Sequence, residues 1–246
     1  MRPACSVNRT IHLTAVGVFF LMISVMLAEV PKSSRSRKAV RENLPRLEQE
    51  MDSLGFSIGE PVFIRIFKKT KELELWIDQG DTFGLFRIYD ICYFSGGPGP
   101  KNNMGDNQAP EGFYYVPHSM MHPTSSFHLA FNIGYPNNYD QQHGCTGSAL
   151  MVHGNCVSIG CYAMTDPIID EIWTIIEKAL DGGQPFFRVH ILPFKDMATR
   201  LEAEKDSEWY DFWTNLEEGY RWFEEKRVPP DVYVKNKKYG FRKSAR

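Results

Sequence analysis

Charge of either sign is scarcely in excess in this chain: its 246 residues hold 28 Lys and Arg against 30 Asp and Glu, a formal net charge of -2. The clustered basic and aromatic pattern of a nucleic-acid binder is missing, so no nucleic-acid partner is expected. No internal repeat is visible, which sets aside repeat arrays. The paired C-x₂-C spacing usual in zinc sites is absent. Nothing in the sequence calls for a cofactor, and none is expected. The longest apolar run, from Leu13 to Ala28, is broken by Thr14, Gly17 and Ser24. It falls short of the roughly 20 residues that cross a bilayer comfortably.

What is present fits one ordinary domain with extensions, with hydrophobic and charged fractions of 43% and 24% typical of a globular protein. Arg2 and Arg9 precede the apolar run and make it a charged n-region followed by an h-region. Residues 1–28 therefore read as a secretory signal peptide. Met26 is a poor residue for the cleavage site, so an uncleaved N-terminal anchor is the alternative and the one membrane contact expected. Either reading exports the rest of the chain. Acidic residues dominate from Asp196 to Glu225, and basic ones from Lys226 to Arg246, where a solvated end is the expectation.

Residues 29–57 read as a polar, basic linker (Pro31 to Arg41) and a short amphipathic helix, with Leu44, Leu47, Met51 and Leu54 at helical spacing. From Pro61 the period changes to two. Val62, Ile64 and Ile66, then Leu73, Leu75 and Ile77, flank the polar set Lys68 to Lys71 as a hairpin. A third strand is expected from Phe83 to Phe94, then a long loop from Ser95 to Gly112, which marks a functional region. Phe113 to Val116, Phe127 to Ile133, Ala149 to Val152 and Phe186 to Leu192 are further strands. Asp166 to Leu180 reads as a helix, with Pro167 in its first turn and Gly182-Gly183 beyond its end. Trp209, Phe212, Trp213, Leu216, Tyr220 and Phe223 mark one face of another. The expected fold is mostly β, with helices appended at the N- and C-terminal sides. Residues 58–195 form its core domain, and 196–246 a helical C-terminal extension with a basic tail.

The stretch from His153 to Cys161 carries the chemistry. Gly160 lets the backbone turn sharply and clears space beside the Cys161 sulfur. Backbone N–H groups around Gly160, Cys161 and Tyr162 are candidate oxyanion donors. A helix start nearby would favour a thiolate. His153 ends an apolar strand, within reach of the thiol as its base. Ser158 or a backbone carbonyl near Gly154 would hold the imidazole in the useful tautomer. Zinc bound by His153, Cys156 and Cys161, with His143 or Cys145, is a competing reading. A structural role for the same residues is another. In an oxidising compartment the four cysteines beyond the apolar run suggest disulfides. With Cys161 free, at most one pair forms among Cys92, Cys145 and Cys156. We expect Cys92 with Cys156. A Cys156–Cys161 bridge would silence the nucleophile.

His153-Gly154 followed by Ser158-Ile159-Gly160-Cys161 resembles the signature of L,D-transpeptidase catalytic domains, the YkuD-like family. The whole phrase Met151 to Thr165 is similar to that of the YafK-type subgroup. So are Ile91 to Gly97, Gly105-Asp106 with Pro110 to Gly112, and Asn132 to Asn137, and the resemblance runs from about Pro61 to Pro230. It implies a β-rich fold and makes residues 58–195 a catalytic domain. It also implies a periplasmic enzyme acting on peptidoglycan stem peptides, whose Cys161 thiolate attacks a carbonyl beside meso-diaminopimelate. The thioester is then resolved by an amine or by water. On this resemblance His153 accepts the proton, Ser158 supports the site, and Gly160 and Cys161 donate to the oxyanion. Gly154, His143 and Tyr135 are candidates to line the groove, with a surface loop an equal reading of His143 and packing the usual reading of an aromatic such as Tyr135. The chain departs from the broad pattern in a shorter His153–Cys161 gap, in Ile159, and in Tyr162-Ala163, where the family has an apolar-Arg pair. The missing arginine removes a bidentate partner for a substrate carboxylate. For the YafK-type subgroup the resemblance implies hydrolysis of the bond between peptidoglycan and its murein-bound lipoprotein. Cross-link formation, lipoprotein attachment and a non-catalytic wall-binding module are the alternatives.

Overall fold

The computed structural model describes residues 29–244, so the expected signal or anchor at 1–28 lies outside the described residues. The elements in chain order are α1 (Ser34–Ser53), β1 (Val62–Phe67), β2 (Glu72–Asp78), β3 (Phe83–Asp90), β4 (Gly112–Pro117), β5 (Met121–His122), β6 (Ala130–Asn132), α2 (Asn138–Gln142), β7 (Met151–His153), β8 (Tyr162–Ala163), α3 (Asp166–Asp181), β9 (Phe186–Leu192), α4 (Met197–Ala203), α5 (Tyr210–Lys226), β10 (Asp231–Lys235) and β11 (Lys238–Arg242). No helix among these residues is long and apolar enough to cross a membrane.

Three sheets form. The largest runs β3-β2-β1-β9-β4, a second runs β5-β6-β7-β8, and β10-β11 is a hairpin. In the large sheet β1 pairs antiparallel with β2 and parallel with β9. All six β1 positions are buried because both faces are covered. Ile64 and Ile66 share a core with Leu47 and Met51 of α1, and with Ile172, Trp173 and Ile176 of α3. On the other face Phe67 packs with Trp213 and Leu216 of α5, while Phe63 and Trp76 meet Phe223. The second sheet extends the first core through Phe131 and Val152.

Helix and strand share the described residues at 31% and 25%: the expected mixed sheets and flanking helices are present, with more helix than a mostly β fold implies. Strand periodicity was easy to see, whereas α1 hides in a basic stretch. It starts at Ser34, inside the segment read as a linker, because Ser33 and Ser36 form a reciprocal capping box. The basic tail is not simply a solvated end. Tyr239 and Phe241 of β11 pack edge-on against Phe113, drawing the hairpin onto the core. The third strand stops at Asp90, and beyond it Tyr93 bridges Ala163.

Candidate active site

The short parallel pair β7–β8 places the candidate residues Cys161 and His153. Its register sets Val152 opposite Tyr162 and His153 opposite Ala163. Cys161 therefore stands beside Met151, whose backbone N–H donates to Cys161 Sγ at 3.4 Å. Residues two apart in a strand share a face, so Cys161 and His153 point the same way. Strand rise and spacing set their Cα atoms roughly 8 Å apart on the diagonal. Both side chains line one cleft of about 360 Å³. The thiol leans towards Ala149 O at 3.8 Å. Thiol and imidazole thus share the cleft without a direct hydrogen bond, a contact that in catalytic sites commonly tightens only with substrate bound.

His153 is buried, and its Nδ1 lies 2.6 Å from the carbonyl of Gly154. A carbonyl only accepts, so Nδ1 carries the hydrogen and Nε2 keeps its lone pair. Of the two expected holders of the tautomer, the structure uses the backbone. Burial pulls the imidazole below its ordinary pKa, with the Gly154 contact opposing, so His153 rests neutral near pH 7. Burial pushes the Cys161 thiol up, against the Met151 N–H and the charge of Lys101. The resting pair is a thiol and a neutral base. The expected thiolate at a helix start is not found: α3 begins at Asp166, where the carboxylate accepts Asn155 N–H at 2.7 Å.

The loop between β7 and β8 is tightly held. Cys156 is bonded to Cys92, and its N–H reaches Met164 O at 3.1 Å. The favoured pairing is present, the silencing Cys156–Cys161 bridge is not, and Cys145 and Cys161 are free. The zinc reading loses Cys156 as a ligand. Asn155 and Cys156 both adopt positive φ, as does Ala149 beside the thiol, so strain gathers around Cys161. Ser158 Oγ donates to Cys161 O at 2.7 Å and accepts Gly160 N–H at 3.0 Å. Ser158 therefore shapes the turn into Cys161. The same bond occupies the Gly160 N–H, which is not poised as an oxyanion donor. Gly160 sits at φ 150, a conformation that favours glycine.

Tyr162, expected for its backbone N–H, directly follows Cys161 and begins β8, and the remaining expected residues lie away from the cleft. The Tyr162 side chain is fully buried and donates to Pro110 O at 2.8 Å. Gly154 is buried beneath the site and does not line the cleft. A side chain there would come within 2.6 Å of Asp166 Oδ1 and 2.8 Å of His128 Cβ. Tyr135 is buried, its hydroxyl on Lys101 O at 3.1 Å, and does not line the cleft. His143 is exposed, stacked on Tyr139 at 4.2 Å, with Nε2 near Lys237 O, and it does not line the cleft either. Sequence reasoning missed the opposite wall, formed by His122, Thr124, Ser125, Ser126 and Phe127. Phe127 covers the His153 ring, centroids 4.8 Å apart and planes at 34°. The signal for this wall was an aromatic residue after a Pro-Thr-Ser-Ser run, which read only as a strand start.

No family model matches the chain. Over 182 residues it is 47% identical to "Putative L,D-transpeptidase YafK" of Escherichia coli K12, covering 74% of each protein. The protein of that name in Escherichia coli O157:H7 gives the same figures. Among solved structures, the helical cell shape determining protein Pgp2 from Campylobacter jejuni is 14% identical, over 76% of this chain and 80% of that one, with a TM-score of 0.43. Bd1075 of Bdellovibrio bacteriovorus is 18% identical over 67% of this chain and 58% of that one, with a TM-score of 0.38. At these scores neither structure carries an argument.

Proposed function

We propose a function for this chain as a member of the L,D-transpeptidase family of YafK, to which it belongs. It is a periplasmic enzyme of peptidoglycan metabolism that transfers an acyl group through Cys161. The observation that carries this reading is the β7–β8 register. That register turns Cys161 and His153 to one face of a shared cleft, while Gly154 O fixes the imidazole with Nε2 free.

In the proposed reaction His153 Nε2 takes the thiol proton as Cys161 Sγ attacks a carbonyl carbon. The tetrahedral intermediate collapses, the carbon–nitrogen bond breaks, and the leaving amine takes the proton from His153. A thioester remains on Cys161. Water then attacks it, giving its proton to His153, and the thiol is restored as the free acid leaves. A neutral resting pair suits this sequence, since the proton moves only as attack begins.

We favour cleavage of the peptidoglycan–lipoprotein linkage over cross-link formation. Where the broad family places an arginine, this chain has Ala163, fully buried beside His153 and unable to hold a second carboxylate. Ile159, in place of the family's histidine, is 84% exposed and points away from the core. Export is supported by the charged and apolar segments ahead of Glu29. The test is to incubate the mature protein with lipoprotein-linked murein and follow release by mass spectrometry. Release that depends on Cys161 is expected. Cross-linked products in place of release would overturn the hydrolytic reading.

A further inference from the structure

The wall facing His153 is irregular backbone between β5 and β6, and such a segment needs partners for its carbonyls. Three of them are supplied from far away. Ser33 Oγ donates to Pro123 O at 2.8 Å. Arg35 Nη1 donates to Ser125 O at 2.8 Å and to His128 O at 2.6 Å. Both donors sit at the capped start of α1, so they are held by a formed helix end. That helix is itself fixed: Leu47 is fully buried, and Arg46 pairs with Glu171 of α3.

The segment these donors grip touches the base at two points. The Phe127 ring covers the His153 ring. Phe127 O also accepts the N–H of Gly154, the residue whose carbonyl sets the His153 tautomer. A shift of the wall therefore moves the cover of the imidazole and the peptide that orients it. The wall also holds strain that would drive such a shift, since His128 sits at φ 68. We propose that Arg35 is a positioning residue for the reaction, clamping the Pro123–His128 wall so that His153 is held in its productive orientation. Arg35 touches neither the thiol nor the cleft and acts only through the wall. The proposal rests on the reading of His153 as the base.

The test measures the rate at which a carbapenem-type β-lactam forms an adduct on Cys161, across pH 5 to 9, in the mature protein. Arg35→Ala should slow the reaction about tenfold, in line with the sensitivity of catalysis to small displacements of its groups. Its melting temperature should stay close to wild type, because Arg35 is exposed. The acidic limb of the profile should move to higher pH. In wild type His153 is kept below its ordinary value by burial, and a loosened wall admits water to the ring. His122 and Cys161 are the other titratable groups lining the cleft, and the His128–Asp166–Asp170 cluster lies beneath Gly154. His122→Asn should leave the shift intact. Arg35→Lys, which keeps a donor, should recover part of the rate. A profile and rate for Arg35→Ala equal to wild type, while His153→Ala is slow, would overturn the proposal alone. Equal rates for His153→Ala and wild type would instead remove the base reading beneath it.

Discussion

Cutting the Cys92–Cys156 bridge should destabilise the folded chain by about 4 kcal/mol. The two residues are separated by 64 positions. In the chain-entropy account, cross-linking a loop of that length removes about 4 kcal/mol worth of freedom from the unfolded chain at 25 °C. Cys92 is half-buried and Cys156 exposed, so Cys92→Ser with Cys156→Ser leaves little cavity to add to the effect. For a domain of this size each 1 kcal/mol moves the melting temperature by roughly 2–4 °C, which gives a fall of roughly 8–16 °C. The double variant and the oxidised wild type would be compared by calorimetry, with the wild type also melted after reduction. The bridge also tethers the loop that carries strained Asn155 and Cys156 ahead of Cys161, so on the proposed mechanism the double variant should acylate Cys161 more slowly below its melting point. A fall of less than about 3 °C would refute the reasoning, because the unfolded chain would then be equally constrained without the bridge.

Two further outcomes follow from buried charge. Asp140 is pushed up to about 7 by burial, against the Asn137 N–H and the Tyr114 hydroxyl. Its folded value lies above the unfolded one near 3.9, so the folded chain binds more protons between these limits. The stability this residue contributes is present in full below about pH 4 and is lost as pH rises through about 7, by about 4 kcal/mol at most. Urea unfolding from pH 4.5 to 8 should show that slope in wild type and a flatter one in Asp140→Asn; superimposable profiles would count against it. The second outcome concerns Lys68 and Glu111, fully buried and 3.2 Å apart, with Glu111 also accepting Gly99 N–H and the Trp213 indole. Glu111→Ala should cost about 3–5 kcal/mol by leaving Lys68 uncompensated, and pairing Lys68→Met with Glu111→Leu should recover much of it. A milder single variant than double would contradict this.

Much of the fold was legible because its signals are local. The β1–β2 hairpin shows in the alternation on either side of Lys68–Lys71, and α3 in Pro167 and the glycines at 182 and 183. The β7–β8 loop was legible for a similar reason: His153, Gly154, Ser158, Gly160 and Cys161 lie within nine residues. What escaped depends on distant partners. The cleft wall at 122–128 is assembled by donors 90 or more positions earlier, and no periodicity marks such contacts. Strands β7 and β8 are three and two residues long, too short for a period, although their register is what aligns the site. The Gly160 N–H was expected at an oxyanion because spacing shows which groups are near. Spacing does not show that Ser158 Oγ already occupies it.

The central claim is that Cys161 alone is the nucleophile. Intact-mass measurement after exposure to a carbapenem-type β-lactam tests it most directly, since Cys145 is the other free thiol among the described residues. Burial pushes the Cys145 thiol up, with Asp140 adding to that, so it should stay unreactive. The account predicts one covalent adduct on the wild type, mapped to Cys161, and none on Cys161→Ala with Cys145 intact. An adduct that persists in Cys161→Ala, or that maps to Cys145, would contradict it.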